Sequence, residues 1–216
     1  MSIHELTTYS TSGYYGSIFS ANATYETAQG ASTGTIWTGA IWAVGQTNSA
    51  GVYSVYRTFV FFDTSKIPSI ATITSATISF MPESVWLDTP PTHFDVVVQQ
   101  GMPTYPHEPI EVGDYNETNY SGDGGSINSA DLSADVYADI AITELGWIQK
   151  GDGAVTKLCL RSSRDISVIA TNDKHEDVDP YGSGYGEGYG PKLVVGYTIP
   201  NSPRYATTSF QNPGIF

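Results

Sequence analysis

Four acidic residues in one short segment are the best candidates for metal binding in this sequence: Asp173, Glu176, Asp177 and Asp179. Carboxylate oxygens of this kind suit Ca²⁺, which takes several hard oxygen ligands. Their spacing differs from the EF-hand pattern, so a solvated acidic loop is the favoured interpretation. The sequence therefore predicts no cofactor, with a structural calcium ion as the open alternative.

Aromatic residues in predicted loops are the candidates for carbohydrate binding. A sugar face stacks on an aromatic ring, while neighbouring polar groups fix its hydroxyls. The alternative is that these rings pack between subunits or support loops, since tyrosine is common at protein interfaces. The candidate residues are Trp86, Tyr105, Tyr181, Tyr185 and Tyr189.

Catalytic patterns are not found in the sequence. The four histidines lack zinc-site spacing, and the glycines of 182–190 alternate with tyrosine and serine, which suits an interface loop better than a phosphate cradle. Cys159 lies between two leucines, which predicts a buried and inert thiol. We expect a protein that is not an enzyme and that has no catalytic residues.

Charge and hydropathy limit the partners. With 9 basic and 22 acidic residues the net charge is −13, which argues against a nucleic acid or an anionic lipid surface as partner. No apolar run approaches the length of a membrane span. The N-terminal residues do not resemble a signal peptide, which predicts a product assembled in the host cytoplasm and released by lysis.

The elements that position these residues are β-strands. Residues 53–63 are rich in Val, Tyr and Phe, and residues 75–80 alternate between apolar and hydroxyl side chains, which indicates a sheet with one buried face. The other predicted strands alternate in the same way. The inward members of these runs form the predicted core: Phe62, Val60, Ala76, Ile78, Phe80, Val96, Val98, Leu158, Leu160, Leu193 and Val195.

The chain length suits one all-β domain. We predict an antiparallel two-sheet β-sandwich, jelly-roll-like, with one short helix near residues 145–150. Residues 1–13 are predicted to form an N-terminal arm, 14–198 the sandwich, and 199–216 an extended C-terminal tail. Residues 101–129 and 165–180 are predicted to be loops.

The strand pair at residues 53–80 resembles the DNRLRE family of β-sandwich modules, which is related to carbohydrate-binding modules of the disaggregatase type. The similarity spans about residues 10–198 and implies the sandwich fold. Similar modules occur as free-standing proteins among phage virion genes. The matching residues are Arg57, Phe62, Asp63, Ile67, Pro68, Ala71, Ile73, Ser75 and Ala76, with the segments Leu158–Asp165 and Pro191–Tyr197.

Three arginines of these segments, Arg57, Arg161 and Arg164, are predicted to be internal ion-pair partners for Asp63 or Asp165. The resemblance to the DNRLRE family implies that Arg57 and Asp63 are characteristic positions of this fold and have a structural role.

One strand carries an excess of apolar residues. Phe59 and Phe61 alternate with the core residues of 56–62, so that strand is apolar on both faces. A sandwich strand needs one apolar face only, so a loop, a tail or another subunit must cover the second. We predict a homo-oligomer, most simply a trimer or a lattice, with Phe59, Phe61, Ile215 and Phe216 in the subunit interface.

Two hypotheses for function follow. The first is a non-enzymatic structural protein of a phage virion, as a capsid decoration or tail-associated subunit, with itself and other virion proteins as partners. The alternative is a carbohydrate-binding or receptor-recognition module with surface glycans as ligands.

Overall fold

The computed structural model describes residues 2–10, 16–37, 39–87, 92–171, 174–182, 184–186 and 188–200. They form thirteen strands, two short α-helices and four 3₁₀ turns. The strands are β1 Ser2–Tyr9, β2 Gly16–Asn22, β3 Thr35–Trp37, β4 Val44–Ser49, β5 Val52–Asp63, β6 Thr72–Phe80, β7 Pro82–Trp86, β8 Asp95–Gln99, β9 Ser126–Asn128, β10 Ala138–Ala141, β11 Val155–Ser162, β12 His175–Pro180 and β13 Lys192–Ile199. The helices are α1 Tyr25–Gln29 and α2 Ser163–Ile166, and the 3₁₀ turns are Val112–Tyr115, Glu117–Asn119, Ser129–Asp131 and Leu145–Trp147.

Two antiparallel sheets pack face to face, which confirms the predicted all-β sandwich. The smaller sheet has the order β1-β13-β6-β10. The larger has the order β7-β12-β4-β5-β11-β8-β9, with β2 and β3 added beside β5. The twelve-residue strand β5 is its centre, because β2, β4 and β11 all pair with it.

The main core lies between the sheets, and it contains all eleven residues predicted for it. The prediction succeeds because the side chains that face the core recur at every second residue along each strand. Trp42, Ile67 and Phe94 extend this core at its margins.

A second core lies on the other side of the large sheet. Phe59 and Phe61 are fully buried there, among Tyr115, Tyr120 and Ile110. The Phe59 and Tyr120 rings lie 5.6 Å apart. The prediction that Phe59 and Phe61 contact another subunit is therefore wrong, because residues 101–129 and helix α1 of the same chain cover that face.

A buried charge network crosses the second core. It confirms the predicted pairing of Arg57 and Arg161 with Asp165, whereas the prediction is wrong for Arg164, which pairs with Glu176. Arg57 donates two hydrogen bonds to Asp165, from Nε at 2.8 Å and from Nη2 at 2.7 Å. Arg161 Nε donates to the same carboxylate at 2.8 Å. Arg57 also donates to the carbonyl oxygens of Gln29 and Tyr115. The network thus connects β5, β11, α1, α2 and the 3₁₀ turn at Val112–Tyr115.

The position of Asp165 depends on a helix cap. Ser162 ends β11, and its Oγ accepts a hydrogen bond from the Arg164 amide at 3.1 Å, which begins α2. Asp63, the other predicted partner, instead accepts hydrogen bonds from the Ser65 amide and hydroxyl. Asp165 is therefore the carboxylate that the buried arginines share.

Several predicted boundaries need correction. Ser2–Tyr9 is an edge strand paired with β13, so the predicted arm is wrong over those residues. The helix predicted near 145–150 is a 3₁₀ turn at Leu145–Trp147, and the short α-helices lie at α1 and α2 instead. The predicted acidic loop 165–180 contains α2 and β12. Ile215, Phe216 and the tail beyond Pro200 lie outside the described residues.

No helix in the described part of the chain is long and apolar enough to cross a membrane.

Candidate functional site

An exposed indole and two carboxylates meet where β7 pairs with β12. The ladder places Trp86 opposite Asp177 and Ser84 opposite Asp179. Trp86 Nε1 donates to Asp179 Oδ2 at 3.0 Å, and Ser84 Oγ donates to the same oxygen at 3.0 Å. The Trp86 side chain is nevertheless 52% exposed, so its ring remains accessible to a ligand.

His175 completes this group. Its ring lies 5.8 Å from the Trp86 ring, and its Nδ1 lies 3.2 Å from Asp177 Oδ1. Burial raises the pKa of Asp179, against the lowering effect of its hydrogen bonds from Ser84 and Trp86. The result is a strand surface that presents an exposed indole ring beside carboxylate acceptors.

Three tyrosines that follow β12 form a compact cluster. Tyr181 and Tyr185 lie 4.2 Å apart between ring centroids, and Tyr189 lies 5.1 Å and 5.2 Å from the two. Tyr185 and Tyr189 are exposed, whereas Tyr181 is buried beneath them. Tyr181 donates its hydroxyl to Asp135 Oδ1 at 2.8 Å, and this hydrogen bond raises the pKa of Tyr181.

The tyrosine cluster is attached to the sandwich at several points. The Tyr181 amide donates to the Met81 carbonyl at 2.9 Å. Tyr137 donates to the carbonyl oxygens of Gly188 and Gly190 at 2.8 Å and 2.9 Å, while Lys192 Nζ lies 4.0 Å from the centre of the Tyr137 ring. These contacts fix the chain on both sides of Tyr189.

The Trp86 group and the tyrosine cluster lie along one ladder. Pro82 pairs with Pro180 at the tyrosine end, and Trp86 pairs with Asp177 at the other. Trp86 lies four positions after Pro82, which spans about 13 Å in a strand. We call this region the β7–β12 surface: Ser84, Trp86, Asp135, His175, Asp177, Asp179, Tyr181, Tyr185 and Tyr189. Aromatic faces beside carboxylate acceptors are the groups that bind a sugar ring and its hydroxyls.

Four of the five predicted carbohydrate-binding residues therefore lie along the β7–β12 ladder or in the segment that follows it, and one does not. Tyr105 is half-buried over the second core, where its ring lies 5.1 Å from His107 and 6.4 Å from Tyr120. It supports the segment that covers Phe59, which is the packing role that the sequence left open.

The predicted metal ligands do not converge. Glu176 is buried in an ion pair with Arg164 at 2.7 Å and accepts a hydrogen bond from Gln46 at 2.6 Å. Asp177 and Asp179 belong to the Trp86 group, and Asp173 lies outside the described residues. In the part of the chain that the structure describes, no three His, Cys, Asp or Glu side chains are arranged to hold a metal ion.

Sequence reasoning missed Ser84, Asp135 and His175, because their role depends on which strands pair. It also missed a second aromatic group, in which Phe19, Trp37 and Tyr56 come from three adjacent strands with ring centroids 5.5, 6.2 and 6.5 Å apart. In β12 the residues His175, Asp177 and Asp179 recur at every second position, but the charged Glu176 between them hides that period in the sequence.

Comparisons with known proteins add little to this geometry. No family model matches the chain, and no curated protein matches it. Four chains of solved structures match. One belongs to the cryo-EM structure of mud crab tombus-like virus, with 12% identity, a TM-score of 0.30, and coverage of 94% of this chain and 85% of that chain. At this TM-score the similarity carries no argument about fold or function.

Proposed function

We propose that this protein is a non-enzymatic carbohydrate-binding protein and that the β7–β12 surface is its binding face. The observation that carries the proposal is the exposed Trp86 ring, which is oriented by its hydrogen bond to Asp179. A preoriented ring loses little conformational entropy when a sugar stacks on it. The adjacent carboxylates then accept hydrogen bonds from sugar hydroxyls.

The same geometry argues against glycoside hydrolysis on this face. Glycosidases hold their two carboxyl groups about 5 Å apart or more, to leave room for a sugar carbon or a water molecule. Asp179 instead accepts hydrogen bonds from Ser84 and Trp86, and Asp177 Oδ1 lies 3.2 Å from His175 Nδ1, so both carboxyl groups are engaged within the protein. Binding without cleavage is the function that this arrangement supports.

Replacing Trp86 with alanine is expected to weaken glycan binding by at least about tenfold, because the stacking face is lost. A glycan array with the full chain identifies a ligand, and titration calorimetry then compares the variants. The free energy of unfolding should change little, since Trp86 lies at the edge of the sheet.

Trp37→Ala is the matched control, because Trp37 is 43% exposed on a different part of the large sheet. It should retain binding. Equal losses in Trp37→Ala and Trp86→Ala, or an array with no bound glycan, would contradict the proposal.

The second candidate function is a structural subunit of a phage virion, as a capsid decoration or a tail-associated protein. The edge of the small sheet favours it, since β1 ends that sheet among the described strands and a strand edge can pair with another chain. A net charge of −13 suits the surface of a soluble particle. In this setting the β7–β12 surface would serve receptor recognition.

Gold-labelled antibodies against the protein are expected to decorate particles purified from its native source. Electron microscopy would show the label on the capsid or on the tail and so separate the two locations. Protein that is recovered only in the particle-free fraction would rule out the virion role and leave the carbohydrate proposal standing.

A further inference from the structure

Strand β1 is the one long edge of the small sheet. It pairs with β13 over eight residues, from Ser2 opposite Ile199 to Tyr9 opposite Lys192. In an antiparallel ladder alternate residues direct their N–H and C=O groups away from the partner strand. No other strand in the described residues pairs with this outer side of β1.

The other sheet edges are short or interrupted. β10 has four residues, β3 and β9 have three each, and β7 begins at a proline and is irregular opposite Asp179 and Pro180. Such features protect an edge from pairing. β1 contains no proline and no lysine, and it shows no irregularity in its ladder.

The side chains of β1 also differ from those of an ordinary solvated strand. Ile3 is 86% exposed and Tyr9 is 51% exposed, and both lie on the outward face with Glu5 and Thr7. On the inward face Leu6 packs against the main core. Two large apolar side chains therefore lie near opposite ends of one open edge.

We propose that β1 pairs with β1 of a second copy of this chain, in an antiparallel arrangement about a two-fold axis at Leu6. A two-fold axis perpendicular to the sheet places outward-facing residues of one copy opposite outward-facing residues of the other. Both sandwiches therefore lie on the same side of the joined sheet. An axis at Leu6 pairs Ile3 with Tyr9 twice and Glu5 with Thr7 twice. An axis at Glu5 would place two carboxylates directly opposite, which is unfavourable.

This pairing would join the two small sheets into one eight-stranded sheet. It goes beyond carbohydrate binding and supplies a partner for the structural role. The tests of this pairing measure molecular mass and cross-linking. A β7–β12 surface that binds no glycan would therefore not change their outcome.

Sedimentation equilibrium of the full chain over a dilution series is the first test. We expect a reversible dimer, and Ile3→Lys with Tyr9→Lys should raise its dissociation constant by at least about tenfold, because like charges then lie opposite twice. Ile70→Lys with Ile169→Lys is the matched control, since both residues are exposed isoleucines outside β1. The control should dimerise as the native chain does.

Cysteine cross-linking tests the register. Equal amounts of Glu5→Cys and Thr7→Cys should form a disulfide-linked dimer on mild oxidation, while each variant alone should not, because only unlike positions are opposite. The native Cys159 is fully buried and does not compete. A native chain that is monomeric at every concentration, a Lys variant that still dimerises, or cross-linking of Glu5→Cys alone would overturn the proposal.

Discussion

Replacing Asp165 with alanine is expected to lower the free energy of unfolding by about 3–5 kcal/mol. Asp165 is completely buried and neutralises both Arg57 and Arg161, so its loss leaves Arg57 buried without a carboxylate and Arg161 with only Glu117, at 3.7 Å. Removing one partner of a buried ion pair costs more than the pair contributes, because the remaining charge stays desolvated. Urea denaturation followed by circular dichroism measures the change.

Asp63→Ala is the matched control. Asp63 is exposed and its carboxylate is bound by Ser65 in a local turn, so its loss should cost below about 1 kcal/mol. Similar values for Asp63→Ala and Asp165→Ala would contradict the assignment of Asp165 as the shared partner.

The ion pairs of Asp165 should also affect how the free energy of unfolding depends on pH. Burial alone would raise the pKa of Asp165, but the two arginines outweigh it and lower the pKa from 3.8 to about 2. A lowered folded-state pKa means that the stabilisation is present above about pH 4 and is lost as the pH falls toward 2. Asp165→Ala should therefore show a shallower loss of stability than the native protein over that interval.

Replacing Phe80 with alanine is expected to cost about 3–5 kcal/mol, which combines lost transfer free energy with a cavity. Phe80 is 1% exposed at the end of β6, where it pairs with Ala138 of β10 and packs in the main core. The neighbouring strands hold their positions through ladder hydrogen bonds, so the cavity cannot collapse fully.

Thermal and urea unfolding of Phe80→Ala beside Ile70→Ala provide the comparison. Ile70 is 65% exposed, so its truncation should change stability by less than about 0.5 kcal/mol. A loss below about 1 kcal/mol for Phe80→Ala would show that the described register of β6 is wrong.

The sequence predicted the main core because its strands follow the simplest rule, with one apolar and one polar face. Ala76, Ile78 and Phe80 of β6 alternate in that way with Ser75, Thr77 and Ser79, and all three apolar residues are buried. The strand class and the single sandwich follow from the same alternation.

The second core could not be predicted in the same way. Phe59 and Phe61 show that a second apolar face exists, but they do not show what covers it. The cover is residues 101–129, whose prolines and glycines carry no strand or helix period. Tyr115 and Tyr120 reach the sheet only through the path of the folded chain. The sequence alone therefore cannot distinguish an apolar face that is covered by the same chain from one that is covered by another subunit.

The binding surface was predicted in its residue types but not in its arrangement. The sequence pattern predicts a loop at Trp86. It predicts a different loop at Asp177 and Asp179, because acidic residues are disfavoured in strands. Strand β12 forms nevertheless, because Arg164 and Gln46 satisfy Glu176 and the β7 edge satisfies Asp179. The contact between the indole and the carboxylate is set by strand pairing across more than ninety residues of chain.

The indole N–H signals of the four tryptophans give the most direct test of the carbohydrate-binding face. The glycan selected on the array is titrated into the ¹⁵N-labelled full chain and followed by heteronuclear NMR, with the Trp86→Ala spectrum assigning one signal. We expect a saturable shift of the Trp86 indole, whose N–H is bound to Asp179, while the Trp37 and Trp147 signals stay in place. A saturable shift confined to Trp37, or binding with no change at Trp86, would show that the β7–β12 surface is not the binding face.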